Sequence, residues 1–288
     1  MLKDRIGIGW RPELAAGILS NLDSIDIVEV IADDFFAATR RERRALRTLG
    51  AQTGLTLHGV SLGMASAAAV ETKRLEQMAR LCEEVGPLSW SEHLAFVRGG
   101  GIEIGHLAAP PRTAATVDGA LANLERARRI VGVAPQVENV ATLIDPPGSD
   151  RDEAAWVAEI ARNSSGGLLL DLHNLYANAL NFHFDPLDFI ARLPAERVAA
   201  IHLAGGKWIG GRGARRLLDD HLHDVPEAVY ELLAEVGARV PRELTVVLER
   251  DGDFPSMDCL LRQLERARQA LADGRARLVA ASVQEAAA

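Results

Sequence analysis

The chain has 288 residues, 48% of them apolar, enough for one large core and slightly above the ~250 residues typical of an eight-stranded α/β barrel. Its 40 acidic residues against 32 basic ones give a net charge of −8, which argues against a nucleic-acid backbone as partner. Cys82 and Cys259 both lie inside helical patterns, which excludes a disulfide framework or a thiolate metal site; no stretch reaches the ~20 apolar residues of a membrane span and no signal segment precedes Ile6, so a reducing, cytoplasmic setting with no membrane partner is expected.

Short apolar runs alternate with stretches of helical period along the whole chain. The predicted order is strand Arg5–Gly9, helix Pro12–Asn21; strand Ile25–Ile31, helix Thr39–Leu49; strand Leu55–His58, helix Ala68–Val85; then strand Leu88–His93. A hairpin across Leu94–Pro111, turning at Gly99-Gly-Gly101, precedes helix Thr113–Val131, strand Pro135–Glu138 and helix Asp150–Arg162. Strand Leu168–His173, an Asn-rich connection at Tyr176–Asp185 and helix Pro186–Leu193 follow, then strand Val198–His202 and a glycine-rich connection, Ala204–Asp224. Helix Val225–Val236, strand Leu244–Glu249 and helix Ser256–Leu271 complete the series. Eight strands alternating with eight helices through short connections predict one domain, a (β/α)8 TIM barrel over residues 1–272, with all strands aiming their C-terminal ends at one mouth. The Ala-rich tail, 273–288, is weakly patterned and is expected to fray or be disordered.

Almost every strand ends in a histidine or a carboxylate. His58, His93, Glu138, Asp171, His173, His202 and Glu249 fall at or just beyond strand ends, and Asp219 and His221 follow in the long glycine-rich loop. Imidazole and carboxylate without thiolate suit iron, manganese or zinc. A single His at a strand end can simply bond a backbone carbonyl. Nine such groups at one mouth, with few Arg or Lys at strand ends to neutralise the acids, call for cations, because buried unpaired carboxylates cost several kcal/mol each. Glu138, Asp171 and Glu249 are the candidates for bridging two or three metals, and Glu138, Asp171 and His202 the donors expected to act in catalysis through them. Glu29 reads either as an acceptor for a ligand imidazole or as half of a core ion pair with Arg11, with a slight preference for the pair. Asn174 either ligates or holds the Asp171 turn, the commoner role. His223 is balanced between site and surface; His106 and His183 sit in loops. Ser61 has no nucleophile-elbow context and reads as structural. Gly7-Ile-Gly9 opens like a dinucleotide fingerprint, but Trp10-Arg-Pro12 stands where the third glycine and helix belong.

Eight collinear motifs, Gly7-Ile-Gly-Trp-Arg-Pro12, Leu57-His-Gly-Val-Ser-Leu-Gly63, Ser91-Glu-His-Leu94, Val137-Glu-Asn-Val140, Leu170-Asp-Leu-His-Asn-Leu-Tyr176, Ile201-His-Leu-Ala-Gly205, Asp219-Asp-His221 and Leu248-Glu-Arg-Asp251, closely resemble the multinuclear non-heme iron-dependent oxidative enzymes, the family of the methanobactin-biosynthesis oxygenase. The resemblance implies a barrel of the xylose-isomerase-like type holding two or three irons. It implies use of dioxygen to rearrange or cleave a residue, often Cys, of a ribosomally made precursor peptide, and in many relatives a separate partner protein that recognises the precursor. On this resemblance His58, His93, Glu138, Asp171, His202, Asp219, His221 and Glu249 stand where the family's ligands stand. His173 replaces a frequent Asn, Asp33-Asp34 a frequent Glu-Asn pair, and Gly206 a frequent His. The hairpin segment Ile102-Glu-Ile104 offers an edge to which a leader peptide could add as a strand. The loop Ala204–Gly213, with Lys207, Trp208 and Arg212, either closes over an acidic or extended peptide or is a surface loop.

Two other classes compete. A zinc- or manganese-dependent sugar isomerase, epimerase or phosphodiester hydrolase could use the same barrel, although no Lys/Arg set for a phosphate stands at the strand ends. A non-catalytic metal-binding escort protein would not need donors drawn from six strands around one pocket.

Overall fold

The computed structural model describes residues 2–100, 102–211 and 215–287. The elements in chain order are β1 (Arg5–Gly9), α1 (Ala15–Ser20), β2 (Ile27–Ile31), α2 (Arg40–Gly50), β3 (Gly54–Gly59), α3 (Thr72–Val85), β4 (Ser89–His93), β5 (Phe96–Gly99), β6 (Ile102–Ala108), α4 (Ala114–Val131), β7 (Gln136–Glu138) and α5 (Glu153–Asn163). They continue with β8 (Leu168–Asp171), α6 (Leu172–Phe182), α7 (Pro186–Arg192), β9 (Val198–Leu203), β10 (Gly206–Ile209), β11 (Arg216–Asp219), α8 (Glu227–Arg239), β12 (Thr245–Leu248) and α9 (Met257–Ala287). Eight of these strands close a parallel barrel in the order β1-β12-β9-β8-β7-β4-β3-β2. The expected TIM barrel stands. Apolar residues of the strands, such as Ile8, Val28, Leu57, Val137, Leu170, Ile201 and Val246, are fully or almost fully buried and form one continuous core with the helices.

Local chemistry explains the boundaries. Thr39 and Thr113 cap α2 and α4 with reciprocal side-chain bonds. Gly7 lies so close to β2 that a Cβ would run into Ile27 O, so Gly7-Ile-Gly9 serves strand packing and not a nucleotide. Helix α3 begins at Thr72, later than the expected Ala68. The reason is buried Asn123, whose amide nitrogen binds the carbonyls of Met64, Ser66 and Ala68 while its oxygen accepts from Val70 N, holding the chain in a loop.

Two expectations need correction. Strand β8 stops at Asp171, and α6 starts at once, because Asp171 caps the helix by accepting from Asn174 N at 2.6 Å. The Asn-rich segment expected as a loop is therefore largely helix, and its Asn178 and Asn181 turn into buried bonds. Past Asp273, where a frayed helix or disorder is expected, α9 runs on to Ala287. Arg275 grips Asp4 at 2.6 and 2.9 Å and the carbonyls of Val240 and Arg242, and Gly274 lets α9 meet Ala234 of α8 at close range. The expected hairpin at 94–111 is β5-β6, and the glycine-rich connection folds as a second antiparallel pair, β10-β11. Gly101, Arg212 and Gly213, named above in these turns, lie outside the described residues. Among the described residues no helix is long and apolar enough to cross a membrane.

Candidate metal centre

Parallel register sets the floor of the mouth. His93 is the lateral neighbour of Glu138, and Asp171 that of His202; His58 comes from β3, and Glu249 directly follows β12. His58 Nε2 and His93 Nε2 each lie 3.5 Å from Glu138 Oε2. On the other side His202 Nδ1 lies 3.4 Å from Glu138 Oε1 and 3.1 Å from Glu249 Oε2. His58–His93–Glu138 and Glu138–Asp171–His202–Glu249 are thus two buried groups, each with donor atoms mutually within 4.8 Å, and they share Glu138. Glu29, His58 and His202 form a further buried group of the same kind. A loop-borne set adjoins them. His221 Nδ1 is 3.6 Å from Glu249 Oε2, and Asp219 binds His221 Nε2 at 2.8 Å and His173 Nδ1 at 2.6 Å.

The structure therefore brings all nine expected donors together, though not all as expected. His173 sits on the first turn of α6, not on a strand. Asp219 ends β11, and His221 is held at a left-handed φ of 55° by backbone bonds to Gly205 and Asp251. A Cβ on Gly206 would lie 2.6 Å from His173 Cε1 and 3.1 Å from Nε2. Leu218 O and the His173 ring occupy the space that a side chain at 206 would need, so the two positions that the resemblance marks as departures are neighbours in space.

Several supporting residues escaped the sequence reading. Ser91 Oγ lies 2.8 Å from His58 Nδ1, so an Nδ1–H donated to it leaves Nε2 free to face Glu138. Glu92 Oε1 is 3.4 Å from His93 Nδ1. Asn139 exchanges two bonds with the Asp171 backbone. The alternation that puts Ser91 on the same strand face as His93 was the available signal for Ser91; Glu92 lies on the opposite face by that period and had none. Glu29 stands 2.8 Å from His202 Nε2, while Arg11 pairs with Asp251, so the preferred Glu29–Arg11 pair is not formed. Asn174 supports the Asp171 turn by donating to Asn139 O, while its amide oxygen is buried without a hydrogen bond in a residue lining the cavity; Ser61 donates to Asp33, His223 is exposed against Asp220, and His183 ends α6. His106 lines the cavity.

Buried polar atoms that find no hydrogen bond are rare in folded proteins. Arg43, Arg126, Ser164 and Asp220 each carry one elsewhere, but most gather at the mouth: His93 Nδ1, Glu138 Oε2, Asp171 Oδ2, His173 Nε2, Asn174 Oδ1 and both ring nitrogens of His202, whose nearest neighbours are carboxylates in ion-pair range. The ion partners of Glu29, Glu138 and Glu249 are histidines rather than Lys or Arg. Burial would depress His93, but Glu138, Glu92 and Glu249 outweigh it and push its pKa up to about 9. The same contest, won by Glu249 and other facing carboxylates, holds His202 and His221 well above an ordinary imidazole. Burial would raise Glu138 and Glu249, yet the facing imidazoles keep both below the usual carboxylate range. Burial, reinforced by Asp219, Glu138 and Glu249, drives Asp171 well above it. The carboxylates and imidazoles thus compete for positive charge within one buried space, and this donor set fits metal ions of the hard-to-borderline kind.

Known proteins supply the context. The family model described as RiPP precursor modification enzyme MbnB/TglH/ChrH matches residues 5–272. A UPF0276 protein of Streptomyces avermitilis is 35% identical over 272 residues, 92% of this chain, and the match spans about half (54%) of that relative's length. A UPF0276 protein of Anaeromyxobacter sp. is 33% identical over 261 residues, 91% of this chain and 90% of its own. Among solved structures, D-psicose 3-epimerase from Clostridium cellulolyticum H10 superposes with a TM-score of 0.59 at 12% identity, covering 95% of this chain and 99% of that one. That likeness places the fold with the xylose-isomerase-like TIM barrels and says nothing further.

Proposed function

The chain belongs to the family of RiPP precursor modification enzymes represented by MbnB, TglH and ChrH, and on that premise we propose that it oxidatively modifies a residue of a ribosomally made precursor peptide, with two or three irons as cofactor and dioxygen as co-substrate. The observation that carries the metal part is the pair of buried donor groups sharing Glu138, with unbonded Glu138, Asp171 and His202 atoms facing inward. Glu138, Asp171 and His202 are the donors expected to matter most for turnover; His58 and His93 complete the first group, Glu249 the second, and His173, Asp219 and His221 offer a third position.

When bound, the irons supply electrons to activate dioxygen and the Lewis acidity that lowers the pKa of a coordinating substrate group such as a thiol. The protein supplies the rest. Ser91 fixes the His58 tautomer, Glu29 stands against the far nitrogen of His202, and Asp219 orients both His173 and His221. Above the donors lies a cavity of about 570 Å³ whose walls include Leu107, Val140, Leu143, Ile144, Pro146 and Leu217. Those walls limit water around the reacting group. They also weigh against the sugar-epimerase alternative, since a polyhydroxylated substrate would lose hydrogen bonds against them.

Protein purified without oxygen, analysed for metals and by Mössbauer spectroscopy before and after air, tests the reading. The expected result is two or more coupled irons per chain that change valence in air. Zinc or manganese at full occupancy, indifferent to oxygen, would transfer support to the epimerase or hydrolase class.

A further inference from the structure

The cavity has two unlike surfaces. Its floor is the His/carboxylate cluster, and much of its wall is the segment 140–147 between β7 and α5. Ile144 is 72% exposed and Leu143 39%. Single exposed aliphatics are ordinary on protein surfaces; the way these two are held is not. Buried Asn178 of α6 donates to Val140 O at 3.0 Å and accepts from Thr142 N at 2.9 Å. Thr142 Oγ1 donates to Ile144 O at 2.8 Å and accepts from Ile144 N at 3.3 Å, a local turn that keeps Ile144 facing out. Buried Arg112 donates to Asp145 at 2.8 Å and to Glu153 at 3.2 Å, and Glu153 accepts from Asn178 at 3.0 Å. An Arg112–Glu153–Asn178 network therefore clamps the segment at 140, 142 and 145, and its hydrogen bonds go to the segment and to itself, not to the donor cluster.

A satisfied buried network of this kind rigidifies what it binds. Here it rigidifies an outward-facing apolar lip that continues into the cavity above the metal donors. Resting on the peptide reading above, we infer that segment 140–147 is a preformed specificity shelf, which receives an aliphatic or aromatic side chain of the substrate peptide beside the residue delivered to the donor floor. The floor binds polar groups and the shelf repels them, so the occupant must present both within one short chain. A peptide with an apolar residue next to a heteroatom-bearing one does so, and ordering the shelf in advance leaves less entropy to lose on binding.

The test is selection of short displayed random peptides, each with a central cysteine, on the iron-loaded protein and on its Ile144→Asp and Leu143→Asp variants, with iron per chain measured for each. The wild type is expected to enrich an aliphatic or aromatic residue at fixed spacing from the cysteine by about tenfold, and Ile144→Asp to lose that preference at unchanged iron content. Asn178→Ala is expected to blur the same preference and to speed amide exchange across 140–147 alone. Enriched peptides with no apolar preference, or with the same preference in Ile144→Asp, would overturn the shelf and leave the peptide reading standing. No enrichment of any peptide would remove the peptide reading, and the shelf with it.

Discussion

The donor cluster is built by two different means. His58, His93, Glu138, Asp171, His202 and Glu249 stand on or directly after barrel strands, and the parallel register alone makes His93 the neighbour of Glu138 and Asp171 that of His202. His173, Asp219 and His221 instead come from the first turn of α6 and from the end of the β10-β11 hairpin. The first group is fixed by the hydrogen-bonded barrel; the second depends on side-chain bonds, a left-handed His221 and the missing side chain of Gly206. Strand-borne donors are therefore expected to be rigid before metal binds, whereas the loop-borne set is where metal number or substrate is most easily altered.

The sharpest way to break this contrast is Glu138→Ala. Because Glu138 belongs to two of the strand-borne groups, the remaining one being Glu29–His58–His202, metal content is expected to fall to well under half while the barrel stays folded by circular dichroism; retention of full metal in this variant would sink its shared role. Gly206→Ala acts on the other group. Its methyl would strike Leu218 O of the paired strand β11 and the His173 ring, so the loop-borne position is expected to lose metal while the Glu138 groups keep theirs, read by metal stoichiometry. Ser91→Ala removes the partner of His58 Nδ1 and is expected to weaken metal affinity about tenfold, measured by competition with a chelator.

The smallest effect is on pH dependence. The metal-free protein holds the His93 pKa at about 9 against an ordinary 6.5. A histidine raised in the folded state adds stability that is complete below 6.5 and lost as pH climbs through 9. The melting temperature of the metal-free protein should therefore decline by a few degrees across that range, while metal uptake, which must displace this proton, strengthens over the same interval. A melting temperature that stays level or rises there would show that His93 does not hold its proton in the metal-free fold.

How far the sequence could be read depended on where a residue sat. His58, Glu138 and His202 were legible because strand period sets direction, and a donor at the end of an apolar run must enter the mouth. His173 was misassigned to a strand because Leu168–Asp171 gives no sign that Asp171 would cap a helix at once; Asn174 three residues on was the only signal. The small residues of the tail carry little pattern, and it is tertiary contact that uses them: Gly274 lets α9 lie against α8 and Arg275 binds Asp4.

The sequence by itself determined the barrel, the order of its strands and the kinds of donor at their ends, because hydrophobic period and residue chemistry are local properties. Only the tertiary structure decided that Glu138 is shared between two groups, that His173 fills the space above Gly206, that Glu29 serves His202 and not Arg11, and that a buried network presents Ile144 at the lip. Each of these is a contact between segments far apart in the chain, set by register and loop conformation that no single stretch of sequence contains.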